Sequence, residues 1–368
     1  MTEQEAGENA GLEGQGAIEG AMPSRRGFRV ERFAAIDLGT NNCRLLVAAP
    51  SGRNFRIVDS FSRIVRLGEG LLQSGALSEP AMGRAVDALK VCAEKIARRN
   101  VTHARCIATQ ACRGAANGLE FLEVVREQTG LKFEIISPEE EARLAVRGCA
   151  DLLDQNSSAG LVFDIGGGST ELSWARPGEG AAAAEIIAWK SMPFGVVMLS
   201  EKWDGREING EKYAKMIESV RAEILALGDP GNLKHVFENG DAHFLGTSGT
   251  ITSIAGVHLK LRRYKRDRVD GLWLDSADVR SVSRKLRAMN FAERAKEPCI
   301  GEERADLVVC GCAILEALLL EWPVSRVRVA DRGLREGILA DLAQQAQRQR
   351  RKNRRRGRRG KKRKNIAS

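Results

Sequence analysis

Residues 161–175 read LVFDIGGGSTELSWA: an apolar strand runs into Asp164, turns through Gly166, Gly167, Gly168 and Ser169, and leaves as a second strand from Thr170 and Glu171. Apolar and β-branched residues that meet a cluster of Gly, Ser and Thr signal a strand entering a turn. Three consecutive glycines at a strand end make sense where something must approach the backbone closely. Successive N–H groups in such a turn form a nest for an anion. Ser169 and Thr170 add hydroxyl donors. A hairpin here brings Asp164 and Glu171 together at its open end, and carboxylates so placed suit a hard cation such as Mg2+, which shares phosphate oxygens with its protein ligands.

A shorter version of the phrase stands at residues 33–47, FAAIDLGTNNCRLLV, with Asp37, Gly39, Thr40 and Asn41 at its turn. A lone Asp-x-Gly-Thr is usually an ordinary turn. Paired with the longer copy, it implies two similar lobes facing each other across a cleft that takes a phosphorylated ligand. A third small-residue loop, Gly246-Thr247-Ser248-Gly249-Thr250, follows a short strand and opens a helix.

Strand and helix patterns alternate along the 368 residues, which points to an α/β chain with room for two domains. The organisation expected is a disordered segment over 1–32, a first domain over 33–150, and a second over 151–346 whose last helix is free to cross back to the first. A disordered basic tail is expected over 347–368. The net charge of +10 sits in that tail, because Arg348 through Lys364 hold thirteen Lys and Arg and no acid, leaving −3 for the rest. Such a block repels itself and suits polyanions such as RNA or polyphosphate; a solvated appendage with no specific partner explains it equally well. Eight scattered cysteines without a C-x-x-C pair, no apolar stretch of a secretory signal and no run long enough to span a bilayer give the expectation of a cytoplasmic protein without membrane contact.

Ser137-Pro138-Glu139-Glu140-Glu141 begins a helix, with Ser137 as cap and Pro138 in the first turn. Three acids at a helix N-terminus have a plain explanation in the helix dipole. Taken together, though, DLGTNN, ATQACRGAAN, ISPEEEARL, DIGGGSTE, SMPFG, GTSGT and DRGLREG, in this order from residue 33 to about 345, resemble the exopolyphosphatase and guanosine pentaphosphate phosphohydrolase family of the actin-like ATPase superfamily. The resemblance implies two actin-like (ribonuclease H-like) domains around a cleft. It also implies Mg2+-dependent release of a terminal phosphate from polyphosphate or pppGpp. By position, Glu141 matches the family's catalytic Glu, which activates water. Arg113 matches a basic residue that contacts the phosphate chain. Asp164 and Glu171 match metal-linked carboxylates, and Asp37 the Asp of the first loop. Pro138 stands where the family pattern usually has Gly. The resemblance also allows a homodimer. The large C-terminal domains of longer members have no counterpart here, which favours shorter chains or pppGpp.

Two rivals remain at this level. The paired phosphate loops would also serve an actin-like ATPase or sugar kinase, although neither a sugar-facing catalytic Asp nor a full adenosine motif stands out. The basic tail would serve a nucleotide-sensing nucleic-acid or ribosome binder.

Overall fold

A computed structural model describes residues 31–52, 54–178 and 184–364, so the expected disordered segment 1–32 falls, but for Glu31 and Arg32, outside the described residues. The first sheet holds β1 (Phe33–Leu38), β2 (Asn42–Ser51), β3 (Asn54–Ile64), β4 (His103–Ala108) and β5 (Phe133–Ile135), in the order β3-β2-β1-β4-β5. The second holds β6 (Ala159–Ile165), β7 (Thr170–Pro177), β8 (Ala184–Met192), β9 (Ala242–Thr247), β10 (Trp273–Asp275) and β11 (Arg326–Val329), in the order β10-β11-β9-β6-β7-β8. In each sheet three strands form an antiparallel meander and the next two run parallel to its first strand. The chain is therefore α/β with two lobes of one actin-like topology, the second carrying β10 as an extra edge.

Period-2 alternation decides which side chains meet. On β1, Ala34, Ile36 and Leu38 enter a core with the Glu79–Arg98 helix, while Phe33 and Ala35 enter a separate core beneath the long terminal helix, Leu334–Lys364. Asp37 shares the parity of Phe33 and Ala35, so it lies on that inner face. On β6, Leu161, Phe163 and Ile165 enter the largest core, and Val162 enters a small inner one. Asp164 shares the inner parity. The largest core is filled by the Val308–Glu321 helix, which is apolar nearly all round and is buried accordingly. Cys310 and Cys312 are buried in it as free thiols.

The Pro138–Cys149 helix stands between the sheets. Its Leu144 packs in the core under the terminal helix, and its Val146 and Cys149 pack against the second sheet. Its Gly148 passes Gly333 so closely that a Cβ would lie 1.8 Å from the Gly333 carbonyl oxygen, and only glycine permits that crossing. The terminal helix is described in its backbone to Lys364, and the basic segment from residue 347 falls within that range. Ala, Gln, Arg and Lys are good helix formers, and no proline interrupts them.

Candidate active site

The two Asp-Gly hairpins meet at the cleft between the sheets. In the second, Asp164 and Glu171 stand directly opposite each other in the antiparallel register of β6 and β7. The turn between them is closed by Gly166 N–H donating to the Ser169 carbonyl at 3.0 Å. The N–H groups of Gly167, Gly168 and Ser169 donate to no group among the described residues, which leaves them for an anion. Gly167 and Gly168 serve the protein as well as a ligand. A Cβ on Gly168 would lie 2.6 Å from Thr40 Oγ1 and 3.0 Å from Gln110 Cγ, so the glycines let the first lobe's loop close onto the second's.

Glu141 is carried to this point by the Pro138–Cys149 helix. Ser137 caps it, the side-chain oxygen accepting from Glu140 N–H, and Pro138 fills the first position. The three acids then part company. Glu139 is exposed; Glu140 accepts from Arg143 at 2.7 Å and from Arg105 at 3.1 Å; Glu141, 9% exposed, points into the cleft. Its Oε2 accepts from Arg113 Nη1 at 3.1 Å and Nη2 at 3.2 Å. Arg113 in turn donates to the Ile136 carbonyl at 2.7 Å and to Gln110 Oε1 at 2.9 Å.

Four carboxylates therefore crowd one cleft. Burial first, and then the Glu171 charge, lift Glu141 well above the ordinary glutamate range. Burial with Asp164 beside it pushes Glu171 up to about 7, against hydrogen bonds from Ser169 and from Ser191. Burial also raises Asp37, against the charges of Arg44 and Arg335. It raises Asp164 too, against a hydrogen bond from Ser248. Among the described residues no group of three or more Asp, Glu, His or Cys is arranged to hold a metal by itself. Two or three oxygen donors at the mouth of an anion nest nevertheless fit Mg2+, which keeps waters and shares substrate phosphates rather than filling an all-protein cage.

Further along the ≈ 890 Å3 cleft the charge changes sign. Arg44, Arg304 and Arg335 line it and pair with no acid among the described residues. Burial lowers the pKa of Arg304 and of Arg335, and the neighbouring Arg44 lowers both further. Unpaired guanidiniums that repel one another make a site for a polyanion. Sequence reading assigned none of them a role. Arg44 was open to detection, since it follows Asn42 at the strand period and stands opposite Asp37 in the register of β1 and β2. Arg304 and Arg335 join it only through the tertiary fold.

Of the residues singled out in the sequence, Asp37, Gly39, Thr40, Asn41, Glu141, Asp164, Gly166, Gly167, Gly168, Ser169, Glu171, Ser248, Gly249 and Thr250 are gathered on the wall of this cleft. Three are not. Arg113 sits behind Glu141 and holds its carboxylate instead of facing the cleft. Thr170 is fully buried and donates to the Phe194 carbonyl at 2.8 Å, which ties the hairpin to the loop after β8. Gly246 lies within β9, where a Cβ would meet the Phe163 ring at 2.3 Å, so it serves strand packing. Cys299 also lines the cleft, but its thiol donates to the Leu261 carbonyl at 3.6 Å, and burial pushes its pKa up.

Solved structures share this architecture. The PPX-GPPA enzyme of Aquifex aeolicus is 28% identical, with a TM-score of 0.68 over 84% of this chain and 99% of that one. A protein described as exopolyphosphatase-like is 27% identical, with a TM-score of 0.74 over 86% of this chain and 99% of that one. An exopolyphosphatase from Cytophaga hutchinsonii shares the fold at 24% identity and a TM-score of 0.74, over 84% of this chain and 96% of that one. No described helix is long and apolar enough to cross a membrane. Residues 46–346 match the model of the Ppx/GppA phosphatase family, and the chain belongs to that family of phosphoanhydride hydrolases.

Proposed function

We propose that the protein is a Mg2+-dependent exopolyphosphatase that releases the terminal phosphate of inorganic polyphosphate by direct attack of water. The observation that carries the reading is the polarity of the cleft: at one end a buried carboxylate beside the N–H groups of Gly167, Gly168 and Ser169 and those of Thr40 and Asn41, none of which donates to a group among the described residues, and beyond them three guanidiniums that pair with no acid among those residues. A terminal phosphate fits the first end, and the rest of an anionic chain fits the second. Phosphoryl transfer demands positioning and charge neutralisation more than covalent chemistry.

In this mechanism the N–H groups of Gly167, Gly168 and Ser169, with those of Thr40 and Asn41 from the other lobe, bind the terminal phosphate. Glu141 accepts a proton from the attacking water; its burial makes it a stronger base than an exposed glutamate. Arg113 fixes the Glu141 carboxylate by two hydrogen bonds and so directs its free oxygen. Asp164 and Glu171, with Asp37, would hold Mg2+, which when bound withdraws charge from the phosphate oxygens. Arg44, Arg304 and Arg335 neutralise the chain left behind. Cys299 has its thiol engaged and its pKa raised, so a phosphocysteine route finds no support.

Hydrolysis of the 5′-phosphate of pppGpp is the second reading. The cleft volume, ≈ 890 Å3, is in the range of nucleotide-sized sites, and Tyr264 on its wall offers a ring to a base. The eight buried, unpaired thiols suit a reducing compartment such as the cytoplasm. Phosphate release is measured on long-chain polyphosphate, tripolyphosphate and pppGpp, each with Mg2+ and with EDTA. Release from polyphosphate only in Mg2+ is expected. Exclusive turnover of pppGpp replaces the first reading by the second, and equal turnover in EDTA removes the metal.

A further inference from the structure

Gln110 opens the short Gln110–Gly114 helix that follows β4. Just ahead of it, Thr109 N–H donates to the Leu38 carbonyl at 3.2 Å, so the chain enters this helix beside the end of β1 and the first phosphate loop. Ala111 and Cys112 are buried in the first lobe's core. Gln110 and Arg113, three residues apart, are left together on the other face of the helix, and both are half-buried. Gln110 lines the cleft, whereas Arg113 lies behind Glu141.

One side chain here touches two parts of the site that belong to different lobes. The stem of Gln110 packs on the second hairpin: its Cγ and Cβ lie 3.0 and 3.3 Å from where a Cβ on Gly168 would stand. Its Oε1 accepts from Arg113 Nη2 at 2.9 Å. The same Nη2 donates to Glu141 Oε2 at 3.2 Å. Nη1 donates to Glu141 Oε2 at 3.1 Å and to the Ile136 carbonyl at 2.7 Å. The Arg113 guanidinium is thus held by Ile136, Gln110 and Glu141, and of these three Gln110 is the one whose stem rests on the glycine turn. Ile136 anchors one end of the planar fork. Without Gln110 the other end keeps only its longer bond to Glu141, and the fork is free to turn about the Ile136 anchor. An amide suits the task, because a neutral acceptor holds the fork and leaves its charge to Glu141.

We propose that Gln110 is a positioning residue: it seats Arg113, and through Arg113 the Glu141 carboxylate, in register with the phosphate loop of the opposite lobe. This rests on the reading of Glu141 as the base. A base works only within hydrogen-bond reach of the proton it takes, and a misplacement of about 1 Å costs up to ~100-fold in rate. The glycine turn that receives the terminal phosphate comes from the second lobe, and the guanidinium that aims the base from the first. Gln110 bridges them by its stem on Gly168 and its amide on Arg113, so the phosphate seat and the base keep one spacing.

The test is a double-mutant cycle in the full chain. Gln110→Met keeps the stem against Gly168 and the helix propensity but brings no comparable acceptor. On whichever of polyphosphate, tripolyphosphate and pppGpp the parent turns over, kcat should fall about tenfold while KM stays within about twofold. In the Glu141→Gln background the same substitution should change kcat by less than about twofold, because Gln110 works through Glu141. Equal losses in the two backgrounds overturn the proposal and leave Gln110 a packing residue. Gln110→Glu restores an acceptor, so its kcat should return to within about threefold of the parent, while the added charge raises KM for an anionic substrate. A kcat as low as that of Gln110→Met also overturns it. Nitrogen NMR of the Arg113 guanidinium, assigned with Arg113→Lys, reads the hold without turnover. Separate, slowly exchanging Nη signals are expected in the parent and in Gln110→Glu, and averaged signals in Gln110→Met. Unchanged signals in Gln110→Met overturn the proposal even if the parent hydrolyses none of the three substrates. Averaging in that case upholds the hold on Arg113, and only the hydrolytic reading falls.

Discussion

Glu141→Gln should separate catalysis from stability in opposite directions. The amide is isosteric and its Oε1 can still accept from Arg113, so the contacts at 3.1 and 3.2 Å survive in weakened form. One negative charge leaves a cleft where Glu171, Asp164 and Asp37 all work against the ionised Glu141. Removing it relieves that repulsion and the cost of burying a charge, while giving up one charge-assisted pair of about 1.5–3 kcal/mol. These terms offset, and the melting temperature should stay within a few degrees of the parent or rise. General-base catalysis contributes roughly 10²–10⁴-fold, so kcat should drop by that factor, or about 2.7–5.5 kcal/mol of transition-state stabilisation. KM should not rise, because an anionic substrate meets one negative charge fewer. Steady-state phosphate release gives kcat and KM, and calorimetry gives the melting temperature. Turnover within tenfold of the parent would refute the role of Glu141 as base. A melting temperature lower by ten degrees or more, with kcat lost in proportion to folded protein, would make Glu141 a structural residue.

Gly168→Ala places a Cβ 2.6 Å from Thr40 Oγ1, so the two loops must separate. A stability loss of ~1–3 kcal/mol and a raised KM are expected, and unaltered KM by phosphate release would contradict the contact between loops. Arg66 joins the lobes beside the cleft, donating to Asp306 at 2.9 and 3.0 Å and to the Glu303 carbonyl at 3.1 Å, from a left-handed backbone at φ 46°. Its side chain is 31% exposed, which discounts the pair to about 1 kcal/mol, so Arg66→Ala should raise KM about fivefold and speed amide exchange in residues 302–307; protection equal to the parent's rules the latch out. His243 is fully buried, with Nε2 accepting from Asp154 N–H at 3.2 Å, and burial together with Arg326 and Arg328 pushes its pKa down to about 4 against the pull of Asp154. Its folded pKa lies below the unfolded 6.5, so the stabilisation is complete above that value and is lost as pH falls towards 4, by roughly 3 kcal/mol in all. His243→Gln should flatten the fall in urea midpoint between pH 7 and 4.5, and an equal fall in both proteins would show that other groups titrate.

The hairpins were legible because their signal is local: apolar runs ending in Asp and Gly specify strands, a turn and the pairing of Asp164 with Glu171. Period 2 could have extended that reading to Arg44. Glu141 was different. Three adjacent acids in one helical turn look alike in sequence, and only their surroundings tell them apart. Glu140 finds Arg105 and Arg143, and Glu141 finds Arg113, which lies 28 residues away and on another element. For the same reason Arg113 read as a ligand of the phosphate chain, when the fold spends its guanidinium on Glu141. Thr170 and Gly246 sit within phosphate-loop phrases, but their strand parity is that of Ile165 and Phe163, facing the largest core, where packing partners claim them.

The proposed base, Glu141, stands on the Pro138–Cys149 helix, and that placement has a mechanical consequence. A carboxylate that serves two phosphate loops on two lobes must keep its distance from both. A residue on either sheet would follow one lobe and lose the other. This helix belongs to both cores: Leu144 is locked under the terminal helix, and Val146 and Cys149 against the second sheet. It is also crossed at two points by the segment that opens the terminal helix. A Cβ on Gly337 would lie 2.1 Å from the Leu144 carbonyl oxygen, and one on Gly148 would lie 1.8 Å from that of Gly333. Contacts that close leave little room for the two helices to slide independently. The terminal helix carries Arg335 on its first turn, on the cleft wall. In the proposed reaction Glu141 and Arg335 would therefore keep one spacing, so the proposed base and a cation on the same cleft wall are held as one body.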